Sequence, residues 1–229
     1  MGEKIHIKDK DIVVPGALLA EGLEYLPSGR AFRDGENIYA ATIGLISVKG
    51  RVIKVIPLAG KYSPKRGDVI IAKINGFGKF GWNLEIDSPY KIDLNGGEIS
   101  MNYVDLKNSK LADYFKIGDY VFGEITDISE SGYISLSAKR RPYRKLLGGN
   151  IIKVGPTKIP RIIGKQGSMI KTLKDLSGCE ILIGQNGLAW IKGDAEKEAK
   201  VAKAIKLIEK ESHLSGLTEK VKAMLEEKN

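Results

Sequence analysis

Residues 162–170 read Ile-Ile-Gly-Lys-Gln-Gly-Ser-Met-Ile, an aliphatic run broken by Gly164-Lys165-Gln166-Gly167 and resumed at once. Glycine inside a helix or strand costs roughly 0.5–1 kcal/mol relative to alanine, so two of them three residues apart mark a junction between elements. On the N-terminal side, Thr157–Gly164 reads as a short helix with Thr157 as its cap. On the C-terminal side, Ser168 is placed to cap a helix over Ser168–Ser177. Met169, Ile170, Leu173 and Leu176 line one face of that helix and Gly178 ends it. Asn150–Gly155 reads as a strand. Cys179–Gln185 and Leu188–Gly193 read as two more, joined by Asn186-Gly187, a strong hairpin signal. A long amphipathic helix follows, capped by Asp194 and carrying Ala199, Ala202, Ile205, Leu207 and Ile208 on its apolar side. Residues 150–213 therefore spell β-α-α-β-β-α. Residues 214–229 form a tail with a last helical segment at Leu217–Glu227.

The tetrad has the chemistry of an anion clamp. Glycine allows φ > 0 and lets another backbone come close. The amides of the following helix N-terminus point outward. Lys165 adds a charge and Gln166 neutral hydrogen-bonding capacity, which suits a phosphodiester backbone. Charge placement agrees. The chain nets +9, yet no acidic residue lies between Glu130 and Asp175, a window holding 11 lysines and arginines. A neutral solvated face would mix signs, so this window implies a polyanionic partner, with nucleic acid the first candidate.

This region resembles a KH domain, whose aliphatic-Ile-Gly-x-x-Gly-x-x-Ile signature is met by Ile162, Ile163, Gly164, Lys165, Gln166, Gly167 and Ile170. The resemblance implies that Gly164, Lys165, Gln166 and Gly167 hold the backbone of about four nucleotides. Ile163 and Ile170, with Arg161 and Lys171, would line the groove, and Ile181 and Ile183 would line or support it.

Residues 64–138 show strand-like runs at 68–75, 80–87, 97–101, 120–128 and 132–137. A short helix at Leu111–Phe115 falls between the third and fourth, the pattern of an OB-fold barrel. The run Gly76-Phe77-Gly78-Lys79-Phe80, the strand-opening Gly67-Asp68 and Gly118-Asp119, and the closing Ile134-Ser135-Leu136-Ser137 resemble an S1 domain. Phe77, Phe80 and Trp82, with Lys79 between them, suit stacking on unpaired bases at about 1–3 kcal/mol per base. The histidine that many such domains carry on the binding face is absent from Gly96–Val104, and the module is net acidic. It is expected to guide a strand more than grip it. Residues 139–149 read as a basic linker, in which Arg140, Arg141, Arg144 and Lys145 add backbone grip.

Residues 1–63 carry short β-like runs with turn signals at Pro27-Ser28-Gly29, Asp34-Gly35 and Lys49-Gly50, a small antiparallel β module. The expected fold is thus multidomain, mainly β and then α/β. A β module followed by S1 and then KH resembles the S1- and KH-containing RNA-binding cap subunits of the archaeal RNA exosome. The resemblance implies three copies per hexameric, phosphorolytic ring, alone or mixed with another cap protein. Residues 1–63 would dock on the ring, and single-stranded RNA would be guided inward by its 3′ end. It implies no catalysis, no cofactor, no metal, no small-molecule substrate and no membrane. A free-standing RNA-binding protein, in translation or as a chaperone, is the other reading. The near-neutral first module argues against it, because a free binder has no need of a protein-docking surface. The detached tail of a phosphorolytic nuclease would carry KH before S1.

The residues speak to catalysis separately. The two histidines, His6 and His213, lie near opposite ends and in no motif, and the carboxylates are dispersed rather than clustered around an ion. Cys179 alone allows neither an intrachain disulfide nor a cysteine-built zinc site. No apolar run approaches the roughly 20 residues that span a bilayer, and the N-terminus lacks a signal-peptide core, so a cytoplasmic location is expected.

Overall fold

The computed structural model describes residues 4–58, 60–86, 88–99, 111–212 and 216–226. The chain divides into two compact units, residues 1–60 and 61–229.

Among the described residues, the first unit has eight short strands: β1 (Lys4–Ile5), β2 (Ile12–Val13), β3 (Leu18–Glu21), β4 (Leu26–Gly29), β5 (Ala31–Asp34), β6 (Asn37–Ala40), β7 (Gly44–Lys49) and β8 (Val52–Pro57). They form two sheets, ordered β1-β3-β6-β5 and β2-β7-β8-β4. Alternation decides what is inside: along β8, Ile53 and Val55 are buried while Val52, Lys54 and Ile56 are exposed. With Leu19, Ile38 and Ile46 they form this unit's core. Asp34-Gly35 and Lys49-Gly50 are hairpin turns as expected, Gly35 and Gly50 each at φ +58°. Pro27-Ser28-Gly29 is not a turn. It runs as β4, parallel to β8, and Gly29 is required because a Cβ there would lie 2.5 Å from the Val55 carbonyl oxygen.

The second unit opens with a barrel of β9 (Val69–Phe77), β10 (Gly81–Glu85), β11 (Lys91–Asn95), β12 (Tyr120–Ile128) and β13 (Tyr133–Ser137), with the short helix α1 (Leu111–Tyr114) between β11 and β12. Strand order is β13-β11-β10-β9-β12, closed by β12–β13 pairing, and β14 (Arg144–Leu146) pairs with the start of β12 on the edge opposite β9, the same edge that β13 takes farther along. This is OB-fold topology. The third strand is Lys91–Asn95 rather than 97–101. Residues 96–98 form a 3-10 turn, and residues 100 and 101 lie outside the described residues. Alternating Lys91, Asp93 and Asn95 outward with Ile92 and Leu94 buried is a short period-2 signal, overshadowed in the sequence by its acidic and proline-containing surroundings. Asp68 and Asp119 close the turns that launch β9 and β12, accepting from the Lys65 amide at 3.0 Å and the Lys116 amide at 2.6 Å.

The α/β part comprises β15 (Asn150–Lys153), α2 (Ile159–Ile163), α3 (Ser168–Ser177), β16 (Glu180–Ile183), β17 (Leu188–Lys192), α4 (Ala195–Lys210) and α5 (Leu217–Glu226), the expected order with a sheet β15-β17-β16. Thr157 sits inside a 3-10 turn before α2, and Ser168 is the first residue of α3, with Gly167 in the capping position. Asp194 does precede α4, where its carbonyl accepts the Glu198 amide at 2.8 Å.

This sheet is buried on both faces. Ile181, Ile183, Ala189 and Ile191 face the helices. Leu188 and Trp190 face the barrel and pack on Ile71, Phe122 and Leu146. The contact is also polar. β9 pairs with β12 along Val69–Lys73, but its other edge meets β10 only from Lys73 onward. The open stretch is paired by the tip of the β16–β17 hairpin. The Gln185 amide donates to the Val69 carbonyl at 2.8 Å, and its side-chain oxygen accepts the Val69 amide at 2.6 Å. The Asn186 carboxamide donates to the Ile71 carbonyl at 2.7 Å and accepts the Ile71 amide at 3.2 Å. Gly184 is required there, since a Cβ would lie 2.7 Å from the Ile71 nitrogen. Ile71 is fully buried, so these groups have no water to fall back on. Asn186→Ala should therefore lower the urea-unfolding free energy by about 3 kcal/mol, the cost of leaving two buried backbone groups unpaired.

Candidate nucleic-acid interface

The Gly164–Gly167 loop is shaped by three successive demands on the backbone. Gly164 has φ +77° and ψ 172°, Gln166 has φ +51° and ψ 28°, and Gly167 has φ +77° and ψ 15°. At Gly164 the packing is tight as well: a Cβ would lie 2.7 Å from the Met169 nitrogen and 2.9 Å from the Met169 Cβ. At Gly167 the nearest atom, on Ile170, would be 3.8 Å away, so only the dihedral asks for glycine. Gln166 takes the left-handed conformation without being glycine, held by the Gly167 amide reaching back to the Gly164 carbonyl at 3.2 Å. The result leaves Lys165 and Gln166 exposed, just ahead of the first turn of α3.

Around this loop, Arg161 and Lys171 are exposed and Ile163 and Ile170 are half-buried, so the aliphatic floor and its basic rim are present together. Ile181 and Ile183 are core residues under that floor. Gly155, at the entry to α2, is anchored by its amide donating to Glu209 at 2.6 Å, and Lys206 donates to the same carboxylate at 2.8 Å.

On the barrel, Phe77 is 44% and Phe80 65% exposed, and the Lys79 ammonium lies 5.2 Å from the centre of the Phe80 ring. Trp82, expected beside them, is only 1% exposed and belongs to the core. It stacks edge-on against Phe115 at 5.1 Å, and its Nε1–H donates to the Leu111 carbonyl at 3.2 Å. The reason is where β10 begins. Phe80 sits in the turn before Gly81, so the shared parity of positions 80 and 82 does not put them on one face.

The basic stretch divides in two. Arg140 and Arg141 are exposed. Arg144 and Lys145 lie in β14 and are engaged within the fold. Arg144 pairs with Glu180 and lies 5.9 Å from the centre of the Trp190 ring, bridging the barrel to the α/β part. Lys145 pairs with Asp119 and donates to the Tyr114 carbonyl at 3.1 Å. Burial raises the Asp119 carboxyl, but its bonds to Lys145 and to the Lys116 amide outweigh that and hold it below the ordinary value. Glu209 is likewise lowered, burial being overcome by Lys206 and the Gly155 amide. Sequence reasoning missed the roles of Gln185 and Asn186. The unbroken apolar run Leu188-Ala189-Trp190-Ile191 was the signal that this hairpin is covered on both sides.

Among the described residues, no group of three or more His, Cys, Asp or Glu could hold a metal ion, and no helix is long and apolar enough to cross a membrane.

Known proteins match over nearly the whole length. A family model described as the exosome RNA binding protein RRP4 N-terminal domain matches residues 10–59, and the KH domain model matches residues 150–210. The exosome complex component Rrp4 of Methanothermus fervidus is 41% identical over 96% of this chain and 97% of its own. That of Pyrococcus horikoshii is 39% identical over 97% of this chain and 85% of its own. A crystal structure assigned to an exosome complex RNA-binding protein superposes with a TM-score of 0.65 at 28% identity, covering 73% of this chain and 96% of that one.

Three outcomes follow from this geometry. Lys165→Asp with Gln166→Asp should weaken binding of single-stranded RNA at least tenfold and flatten its salt dependence, with the melting temperature unchanged, as read by fluorescence anisotropy and calorimetry. Phe80→Ala should cost about 1–3 kcal/mol of RNA affinity without loss of stability, whereas Trp82→Ala should destabilise the fold by about 3–5 kcal/mol. Because the Asp119 and Glu209 values are lowered on folding, their stabilisation is present above the unfolded carboxylate values and lost as pH falls through the folded ones. Lys145→Met should shift the acid-unfolding midpoint upward in a circular-dichroism titration.

Proposed function

Since the chain belongs to the Rrp4 family of exosome complex components, we propose that it is the RNA-binding cap of an RNA-degrading complex. It captures single-stranded RNA and guides 3′ ends into a phosphorolytic 3′→5′ exoribonuclease core. One observation carries this reading: an exposed aromatic turn, Phe77–Phe80, and an exposed glycine-bracketed loop, Gly164–Gly167, which suit two different kinds of nucleic-acid contact, stand in a single compact unit. The loop grips the backbone, assisted by Arg161, Lys171, Arg140 and Arg141. The aromatic turn stacks on bases without regard to sequence.

Residues 1–63 dock on the ring. Their exposed apolar side chains, Ile12 and Leu23 foremost, with a near-neutral charge balance, suit a protein surface better than a polyanion. Residues 64–138 act as the S1 domain, 139–149 extend its basic surface, 150–213 act as the KH domain and 214–229 as a helical tail. Three copies sit on a hexameric ring, alone or mixed with another cap protein, and multivalency raises the effective concentration of RNA-binding sites near the pore. The cap is non-catalytic and works in the cytoplasm; cleavage belongs to the ring.

The test is affinity capture of the tagged full-length chain from its native cells, with nuclease added. Phosphorolytic ring subunits should be recovered despite removal of RNA. They should be lost with Ile12→Asp plus Leu23→Asp, a variant whose own RNA affinity stays at the wild-type value. Recovery of RNA-dependent partners alone would favour a free-standing RNA-binding protein.

A further inference from the structure

A trough of about 460 Å³ lies on the outer face of the barrel, across β9, β10, β11 and the start of β13. Asn75, Asn83, Glu85 and Asp93 line it with polar groups, and the rings of Tyr90 and Tyr133, 38% and 48% exposed, line it with flat apolar surface. The pleat explains the set. Asn83 and Glu85 point outward from β10, Asp93 pairs directly opposite Asn83, and Lys91 pairs with Tyr133. A second hollow of about 140 Å³ holds Lys79 and Phe80 and shares Asn83 and Asp93 with the first. The two hollows therefore adjoin, and together they lie between the exposed Phe80 ring and the tyrosines.

The chemistry of the larger trough is that of a base rather than a phosphate. Glu85 and Asp93 outnumber the one cation, Lys91, so a phosphate seated here would meet like charge. Carboxylates accept hydrogen bonds from an exocyclic amine, the asparagines supply both donors and acceptors, and tyrosine rings offer faces for stacking. Lys91, 5.6 Å from the centre of the Tyr133 ring, steadies that ring and leaves a cation at the rim for the linking phosphate. We propose that this trough seats one unpaired nucleobase beyond Phe80, stacking on Tyr133 and Tyr90 and reading an amine-bearing edge through Glu85 and Asp93. The proposal rests on the RNA-binding reading above and adds to it a specificity site in the barrel.

Cytosine and uracil make the cleanest test, because at one ring position the first offers an amine and the second a carbonyl oxygen. The full-length chain is titrated against fluorescein-labelled oligocytidylate and oligouridylate of equal length, and anisotropy is read at two salt concentrations. Wild type should prefer oligocytidylate by about tenfold. Glu85→Gln with Asp93→Asn removes negative charge and so strengthens both complexes, but the ratio between them should fall towards one. Tyr133→Ala should weaken both severalfold with the salt slope unchanged, unlike the Lys165 variant. All variants are checked for wild-type melting temperature, and Tyr133→Phe, which keeps the ring, should restore affinity. Equal affinity of wild type for the two oligomers, or wild-type binding of both by the tyrosine and carboxylate variants, overturns the proposal while leaving the RNA-binding function standing. Binding of neither oligomer by wild type would overturn that function and the proposal with it.

Discussion

The open edge of β9 between Val69 and Ile71 is the constraint on which the second unit depends. A strand edge inside a folded core cannot leave its amides and carbonyls unpaired, and water does not reach Ile71. Two carboxamide side chains and one backbone amide, all from Gln185 and Asn186, complete the pairing as a short substitute strand. Once the hairpin tip is fixed there, Leu188 and Trp190 must be apolar on the barrel side, and the Trp190 indole N–H is satisfied by the Gly148 carbonyl at 2.7 Å. Arg144 and Glu180 then close the rim of the same contact. The Gly164–Gly167 loop and the exposed Phe77–Phe80 turn, for which the proposed function gives backbone and base contacts, thus belong to one compact unit.

On the proposed function, that arrangement divides the work of recognition. The acid-free window concentrates positive charge around the Gly164–Gly167 loop, where affinity depends on salt. The barrel is net acidic and offers rings and amides, where affinity depends on stacking and hydrogen bonds. On the proposed function, a strand held by both would be gripped by its backbone at one end and read by its bases at the other. Nothing in such a scheme requires a reactive group. The acids with perturbed values, Asp119 and Glu209, are lowered by partners that hold β12 and the entry to α2 in place.

Much of this was legible in the sequence because the signals were local. The G-x-x-G loop, the Asn186-Gly187 hairpin, four of the five barrel strands and the two Gly-Asp strand openings depend on residues a few positions apart. The misreadings share a cause: pairing between distant segments. Pro27-Ser28-Gly29 carries turn residues but lies against β8, where glycine answers a close approach rather than a change of direction. Trp82 shares parity with Phe80, yet Phe80 lies in the turn before β10, while Trp82 pairs across to Leu94 and packs on Phe115 from farther along the chain. Arg144 and Lys145 look like free charge until Glu180 and Asp119 arrive from elsewhere in the chain. Asn186 was read as a turn residue, and its second role, pairing a strand 115 positions away, leaves no local trace.

The central claim is that barrel and α/β part move as one body, and a distance measurement tests it most directly. Glu130 on the barrel and Lys203 on α4 are exposed, and the native Cys179 is buried, out of reach of a labelling reagent. With spin labels at Glu130→Cys and Lys203→Cys, pulsed electron–electron resonance on the full-length chain should give a single narrow distance distribution, unchanged when RNA is added and broadened by Asn186→Ala. A broad distribution in the parent chain, or one that narrows only with RNA, would mean that the two parts are independently tethered and that the hairpin tip does not set their geometry.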